Sequence, residues 1–255
     1  MSMENENIYR KVQEFLGGLS DNFTLMEEPV DVVVQMNYFE TSGRTRITEV
    51  NEKDLLARRD ELFDPGLSVE DKKILLVQMA GIPNPEIYRV LESYAKNPDD
   101  KLIEWSKLAL QENRLLLESH LLDSRQVYIS TGLGGKGNKL RYFVVLINKN
   151  SADLQPFQQK VVQDEMAYAL QRHNSELEKL NFMHHYTTMR VVVPISSDLT
   201  KVFREGIEEC NQFGDFLSSD FIVTNMKELS EEEILEALSE NHYDVITDDD
   251  FPPVD

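Results

Sequence analysis

The sequence is poor in cysteine: Cys210 is the only one among 255 residues. A single thiol can build neither an intrachain disulfide framework nor a cysteine metal cage, and it fits a reducing compartment. Tryptophan is equally scarce, with Trp105 alone. Long apolar runs are missing. A run such as Phe143 to Ile147 has the length of a strand, so no membrane span is expected. The start, Met1 to Arg10, is polar and acidic, so no signal peptide is expected and a cytoplasmic location is. Positive charge is in short supply: 26 Lys and Arg stand against 46 Asp and Glu, a net charge of −20. That balance excludes a general affinity for nucleic acid or anionic lipid and leaves room for a basic protein partner. The deficit is uneven, because Met226 to Asp255 holds 11 acids and one lysine.

What is present is a repeat. Glu70 to Ala80 aligns with Asp99 to Ala109 at an offset of 29 residues. Asp71/Asp100, Lys72/Lys101, Ile74/Ile103 and Ala80/Ala109 are identical pairs, and Leu76/Trp105 and Met79/Leu108 are apolar pairs. A fixed offset of this size marks a helical repeat. Ser68 is placed to cap the first helix, and Gly81-Ile82-Pro83-Asn84-Pro85 ends it. Pro85 opens a second helix to Lys96, with Ile87, Val90, Leu91 and Tyr94 on one face. Over residues 52–122 the pattern resembles the HEAT-type repeat in its short, PBS-lyase-like form. The resemblance implies stacked helix pairs with no chemistry of their own, offering a surface to partners. Tyr88, Arg89, Tyr94 and Trp105 are the candidate partner-binding residues there.

Around the repeat the chain reads as four segments. Residues 1–51 hold an amphipathic helix, Glu4 to Leu16, and a β-hairpin from Val30–Met36 and Arg44–Val50. Residues 52–122 are the helical-repeat segment. Residues 123–241 form a small α/β domain, and 242–255 an acidic tail that could dock in a basic groove. Within the α/β domain, strands are expected at Gln126–Thr131, Leu140–Asn148, Thr187–Ile195 and Phe216–Asn225. Helices are expected at Phe157–Leu180, from Asp198 to near Gly214, and from the Ser230/Glu233 capping box to Glu240. Helical crossovers between strands predict a mixed, mostly parallel four-stranded sheet with its first pair antiparallel. The fold class expected is therefore α+β or α/β.

The sharpest chemical feature is a glycine cluster: Gly132, Gly134, Gly135 and Gly137, with Lys136 and Lys139. Exposed backbone N–H groups beside lysines can nest a phosphate. The cluster lies between two strands, however, and no Ser or Thr follows Lys139, unlike a Walker loop. It reads either as a hairpin loop or as a small anion site. Cys210 follows Glu208 and Glu209, which oppose thiolate formation. The histidines show no ligand spacing, so no catalytic residue, metal or cofactor is expected. The leading expectation is a non-enzymatic scaffold or regulator that binds a protein through the helical repeat. The alternatives are an enzyme or sensor binding a phosphorylated small molecule at the glycine loop, and an acidic inhibitor or immunity-type protein masking a basic partner.

Overall fold

The computed structural model describes residues 23–45, 51–122 and 127–240. The expected N-terminal helix Glu4–Leu16 and the acidic tail lie outside them. The chain divides into a helical unit (22–26 and 30–129) and a sheet unit that includes 27–29 and the residues from Ser130 onward.

The helical unit begins with a short strand, β1 (Phe23–Leu25), paired in parallel with β2 (Val127–Ile129). Helix α1 (Val32–Thr45) follows. It replaces the first strand of the expected hairpin, Val30–Met36, and residues 46–50 of the expected second strand lie outside the described residues. Three consecutive valines favour a strand, but tertiary packing decides otherwise. Asp31 Oδ1 accepts from the N–H groups of Val33 (2.8 Å) and Val34 (3.3 Å), capping the helix. Gln35, Tyr38 and Ser42 then fall on one buried stripe. Tyr38 donates to Glu112 Oε2 at 2.5 Å and packs edge-on to Trp105.

Next come α2 (Glu52–Ala57), a 3₁₀ turn (Arg59–Phe63), α3 (Val69–Ala80), α4 (Pro85–Lys96) and α5 (Ile103–Leu122). Their termini follow the sequence signals. Ser68 accepts from Asp71 N–H, Asn84 accepts from Glu86 and Ile87 N–H, and Pro85 takes the first helical position. The 29-residue offset recurs in burial. Leu76/Trp105, Met79/Leu108 and Ala80/Ala109 are all buried in one core with Tyr38, Leu55, Leu62, Ile87 and Leu91. Asn113 lies fully buried on α5 and donates to the carbonyls of Met79, Ala80 and Ile82. It thereby satisfies the orphan end of α3.

The sheet unit overturns the expected parallel architecture. Its strands are β3 (Gly135–Lys136), β4 (Lys139–Asn148), β5 (Glu176–Phe182), β6 (Tyr186–Pro194) and β7 (Leu217–Thr224). Every pairing among them is antiparallel, in the order β3-β4-β6-β5 with β7 also on β4. The helices are α6 (Pro156–Arg172), α7 (Leu199–Asn211) and α8 (Glu231–Glu240). From β4 to β7 the chain runs β-α-β-β-α-β, the split arrangement of ferredoxin-like sheets.

The error has a clear origin. The span Phe157–Leu180, expected as one helix, ends at Arg172; Asn174 takes φ 54° and the chain re-enters the sheet as β5. The β5–β6 hairpin puts β6 between β4 and β5, so the helical crossover joins strands that are not neighbours. The expected first pair also differs, because β2 belongs to the helical unit and β4 folds back on β3 instead.

Strand β4 is covered on both faces. Phe143 and Val145 join Tyr186, Ile222, Ile234 and Ala237 in the cluster beneath α8. On the other face Leu146 lies in register with Phe221, whose ring packs on Phe203 of α7.

Candidate functional site

The glycine cluster is a junction of three chain segments. Leu133 donates its N–H to the Asn225 carbonyl at 3.0 Å, and its side chain enters the core beneath α8. Gly132 lies so close to Met226 that any Cβ would collide with its carbonyl oxygen. A Cβ on Gly134, at φ 69°, would strike the backbone of Glu27 and Glu28. These two glycines are therefore demanded by close backbone approach. Gly137 at φ 61° has open space around it and needs only the left-handed conformation of the turn.

The anion held by this loop is the chain's own. Gly137 N–H donates to Glu27 Oε1 at 3.0 Å, and Gly135 N–H donates to the Glu27 carbonyl at 3.2 Å. Lys136 and Lys139 grip the two oxygens of Glu176, at 2.6 and 2.8 Å. Beside them Arg141 makes a two-pronged contact with Glu178, which also accepts from Arg190. Arg190 in turn reaches Glu228. The register explains this lattice. Arg141 of β4 and Glu176 of β5 both align with Val192 of the intervening β6. Long charged side chains from the two outer strands meet over it.

The two lysines holding Glu176 push its carboxyl down to about 2. Arg141 lowers Glu178, and each of the paired cations Lys136 and Arg141 is raised by its carboxylate. The six residues proposed from sequence as an anion site thus stand together, with their lysines and the amides of Gly134, Gly135 and Gly137 already engaged.

Other reactive side chains are also tied into the fold. Cys210 is fully buried, and desolvation, with Glu165 nearby, pushes its thiol up to about 12. That removes it from nucleophilic chemistry. His173 bonds Glu205 at 2.8 Å, and His184 bonds Asp153 at 3.0 Å. Among the described residues no three His, Cys, Asp or Glu side chains are grouped to hold a metal ion. No described helix is long and apolar enough to cross a membrane.

The partner-binding candidates of the helical unit divide. Trp105 is buried, donates its indole N–H to the Lys73 carbonyl at 3.2 Å, and lies under the Lys73 ammonium. Tyr94 is buried and donates to Asp99 Oδ2 at 2.9 Å, and burial pushes its hydroxyl up to about 12. Neither side chain is presented to a partner, which removes both from the partner-binding candidates and leaves Trp105 in the core position equivalent to Leu76 in the repeat. Tyr88 is half-buried and Arg89 exposed.

The surface holds what the sequence argument overlooked. Ile74 and Ile103, one of the identical repeat pairs, are 42% and 44% exposed. Three residues before each stands an exposed acid, Asp71 or Asp100. The signal was available: an apolar pair conserved between the two repeats at positions outside the core stripe. Val33, Met36 and Phe39 are exposed on α1, a helix the sequence reading lacked.

Comparison with known proteins adds little. No protein-family model matches the chain, and no curated protein matches it. Among solved structures, a candidate transposase from Deinococcus radiodurans R1 is 14% identical with a TM-score of 0.37, over 43% of this chain and 95% of that one. A REP-associated tyrosine transposase bound to a REP hairpin is 9% identical, TM-score 0.31, over 39% and 67%. A C-terminal segment of the alpha subunit of aIF2 from Pyrococcus abyssi is 13% identical, TM-score 0.23, over 77% and 98%. Similarities of this size carry no argument about what the chain does.

Proposed function

We propose that the chain is a non-enzymatic scaffold or regulator that binds a basic protein segment on its helical unit. One observation carries this reading. The repeat sets the same pair, an exposed acid and a half-exposed isoleucine, at equivalent positions of two neighbouring helical segments: Asp71 with Ile74, and Asp100 with Ile103. Stacked repeats display equivalent positions along one surface. Of the two lysines between Asp71 and Ile74, Lys72 is buried and committed to Asp99, and Lys73 is paired with Glu70. The surface is left apolar with acids in excess, Lys101 being an exposed cation between Asp100 and Ile103. Its complement is a segment with alternating apolar and basic side chains, which the net charge of −20 steers toward the chain. The glycine loop supports the same reading, since its lysines hold Glu176 and the amides of Gly134, Gly135 and Gly137 are bonded within the fold.

The test is capture from native lysate on the immobilised chain, at low and high salt. Each isoleucine keeps roughly half of the ~2 kcal/mol that full burial yields. Ile74→Glu with Ile103→Glu should therefore weaken retention by more than tenfold. Lys136→Ala with Lys139→Ala should leave it unchanged, and salt should release the partner. Loss of binding with the lysine variant alone would move the function to the sheet unit and reject the proposal.

A further inference from the structure

We infer that α8 is a hinged strap: it swings open about Ser230 while the sheet beneath stays folded, and so gates an apolar strip on that sheet. The strip consists of Phe143 and Val145 of β4, Tyr186 of β6 and Ile222 of β7, all buried. Within α8 the side chains that cover it are Ile234 and Ala237, with Leu238 partly buried beside them. The helix is fastened at one end only. Leu133 N–H holds the Asn225 carbonyl, Arg190 holds Glu228, and Lys227 and the Ser230 N–H both bond Glu233. Beyond Glu233, among the described residues, no side chain of α8 makes a hydrogen bond or ion pair to the sheet; Ser239 donates to the Glu236 carbonyl of its own helix.

The other two helices of the sheet unit are held differently. Helix α7 buries Leu199, Val202, Phe203, Ile207 and Cys210, and α6 is tied to it through Arg172 and His173, which share Glu205. Helix α8 is also too weak to stand alone. It has 10 residues, fewer than an isolated helix needs to be stable in water. Glu236 stands four residues after Glu232 and three after Glu233, so like charges crowd one flank of the helix and lower its stability. Opening gives up two buried apolar side chains and part of a third, and it relieves that repulsion. Strand β4 meanwhile keeps its ladders with β6 and β7 and its opposite face toward α7. An element held by so few buried side chains opens locally, ahead of the core. The strap is independent of the Ile74–Ile103 surface.

The test compares two thiols in one full chain. Ala237→Cys places a thiol under the strap, and the buried Cys210 of α7 reports unfolding of the sheet unit as a whole. A thiol reagent should modify position 237 at least ~100-fold faster than Cys210. Adding Glu236→Lys turns the repulsions into attractions and should slow position 237 about fivefold without changing Cys210. Hydrogen exchange of the unaltered chain reads the same opening without a substitution: the amides of residues 235–239 should exchange at least ~100-fold faster than those at the centre of β4. Equal rates for the two thiols, or equal exchange in α8 and β4, would mean that helix and sheet open only together, and either overturns the inference. So does a rate at position 237 that Glu236→Lys leaves unmoved.

Discussion

Lys72 and Asp99 make an ion pair whose two halves are unequal, and the inequality predicts unequal mutants. The Lys72 side chain is 4% exposed, and its ammonium lies 2.6 Å from Asp99 Oδ2, while the Asp99 side chain is 45% exposed. Asp99→Ala strands a buried ammonium and also deprives the Tyr94 hydroxyl of its acceptor. Breaking a buried pair this way costs about 3–5 kcal/mol. Solvent at Asp99 screens the pair, which places the expected loss near the bottom of that range, about 3 kcal/mol. Lys72→Met removes the desolvated charge and fills its channel with a stem of similar volume. Asp99 then keeps Tyr94 and water, so the change should stay within about 1 kcal/mol. Urea unfolding followed by Trp105 emission reads the helical unit directly, since the indole packs against Tyr38 in that core. Acidity offers a second reading. Lys72 and then Tyr94 lower the Asp99 carboxyl below its ordinary value. Its contribution is thus fully present above the unfolded pKa and is lost as pH falls through the folded one. Asp99→Asn should flatten that acid limb. Equal losses from Asp99→Ala and Lys72→Met would refute the reasoning, because they would mean that the pair's attraction outweighs the cost of burying Lys72.

Three further outcomes are expected. Gly132→Ala should unfold or severely destabilise the sheet unit because its Cβ meets the Met226 carbonyl, whereas Gly137→Ala should cost only about 1 kcal/mol for its positive φ; thermal unfolding of the two variants separates them. Stability of the sheet unit should hold down to the ordinary carboxylate range and decline as pH falls from there toward about 2, where Glu176 titrates in the fold; Glu176→Gln should remove part of that decline in an acid titration. Cys210, buried with its thiol pushed up to about 12, should resist a thiol reagent in the native protein and react at the rate of unfolding.

The parts of the fold legible in the sequence were those fixed by local chemistry. Ser68 and Asn84 mark helix starts through hydrogen bonds made within three residues, Pro85 marks one by its fixed φ, and the Ser230–Glu233 box is likewise local. The continuous apolar run of β4 announced two covered faces, and it has them, but burial says nothing of strand direction. Helix α1 was hidden because its valines and threonines prefer strands, while its deciding contacts, Tyr38 to Glu112 and Trp105, lie more than sixty residues away. Strand β5 was hidden by a bulge. The register shifts between Leu177 and Lys179, so Leu177 and Leu180 lie on one face at a spacing of three, which matches a helix as well as a bulged strand. The left-handed Asn174 was the one local clue to the break.

The site was legible in its members and not in its meaning. Four glycines and two lysines do come together, yet nothing near them in sequence announces that Glu27 and Glu176 would fill them. Trp105 and Tyr94 drew notice as aromatic residues, and the core absorbs both. The repeat offset carried more than it was asked for. The core pairs agree between the two copies, Ile74 and Ile103 are an identical pair that remains outside, and the identical lysines differ, Lys72 being buried and Lys101 exposed.

The most direct test is where a partner leaves its footprint. Hydrogen exchange of the chain, alone and with the protein captured from lysate, should show new protection over Val69–Ala80 and the first turns from Asp100, with none over 132–139. Protection confined to the glycine loop and β5, with the two repeat helices unchanged, would contradict the account and place the function on the sheet.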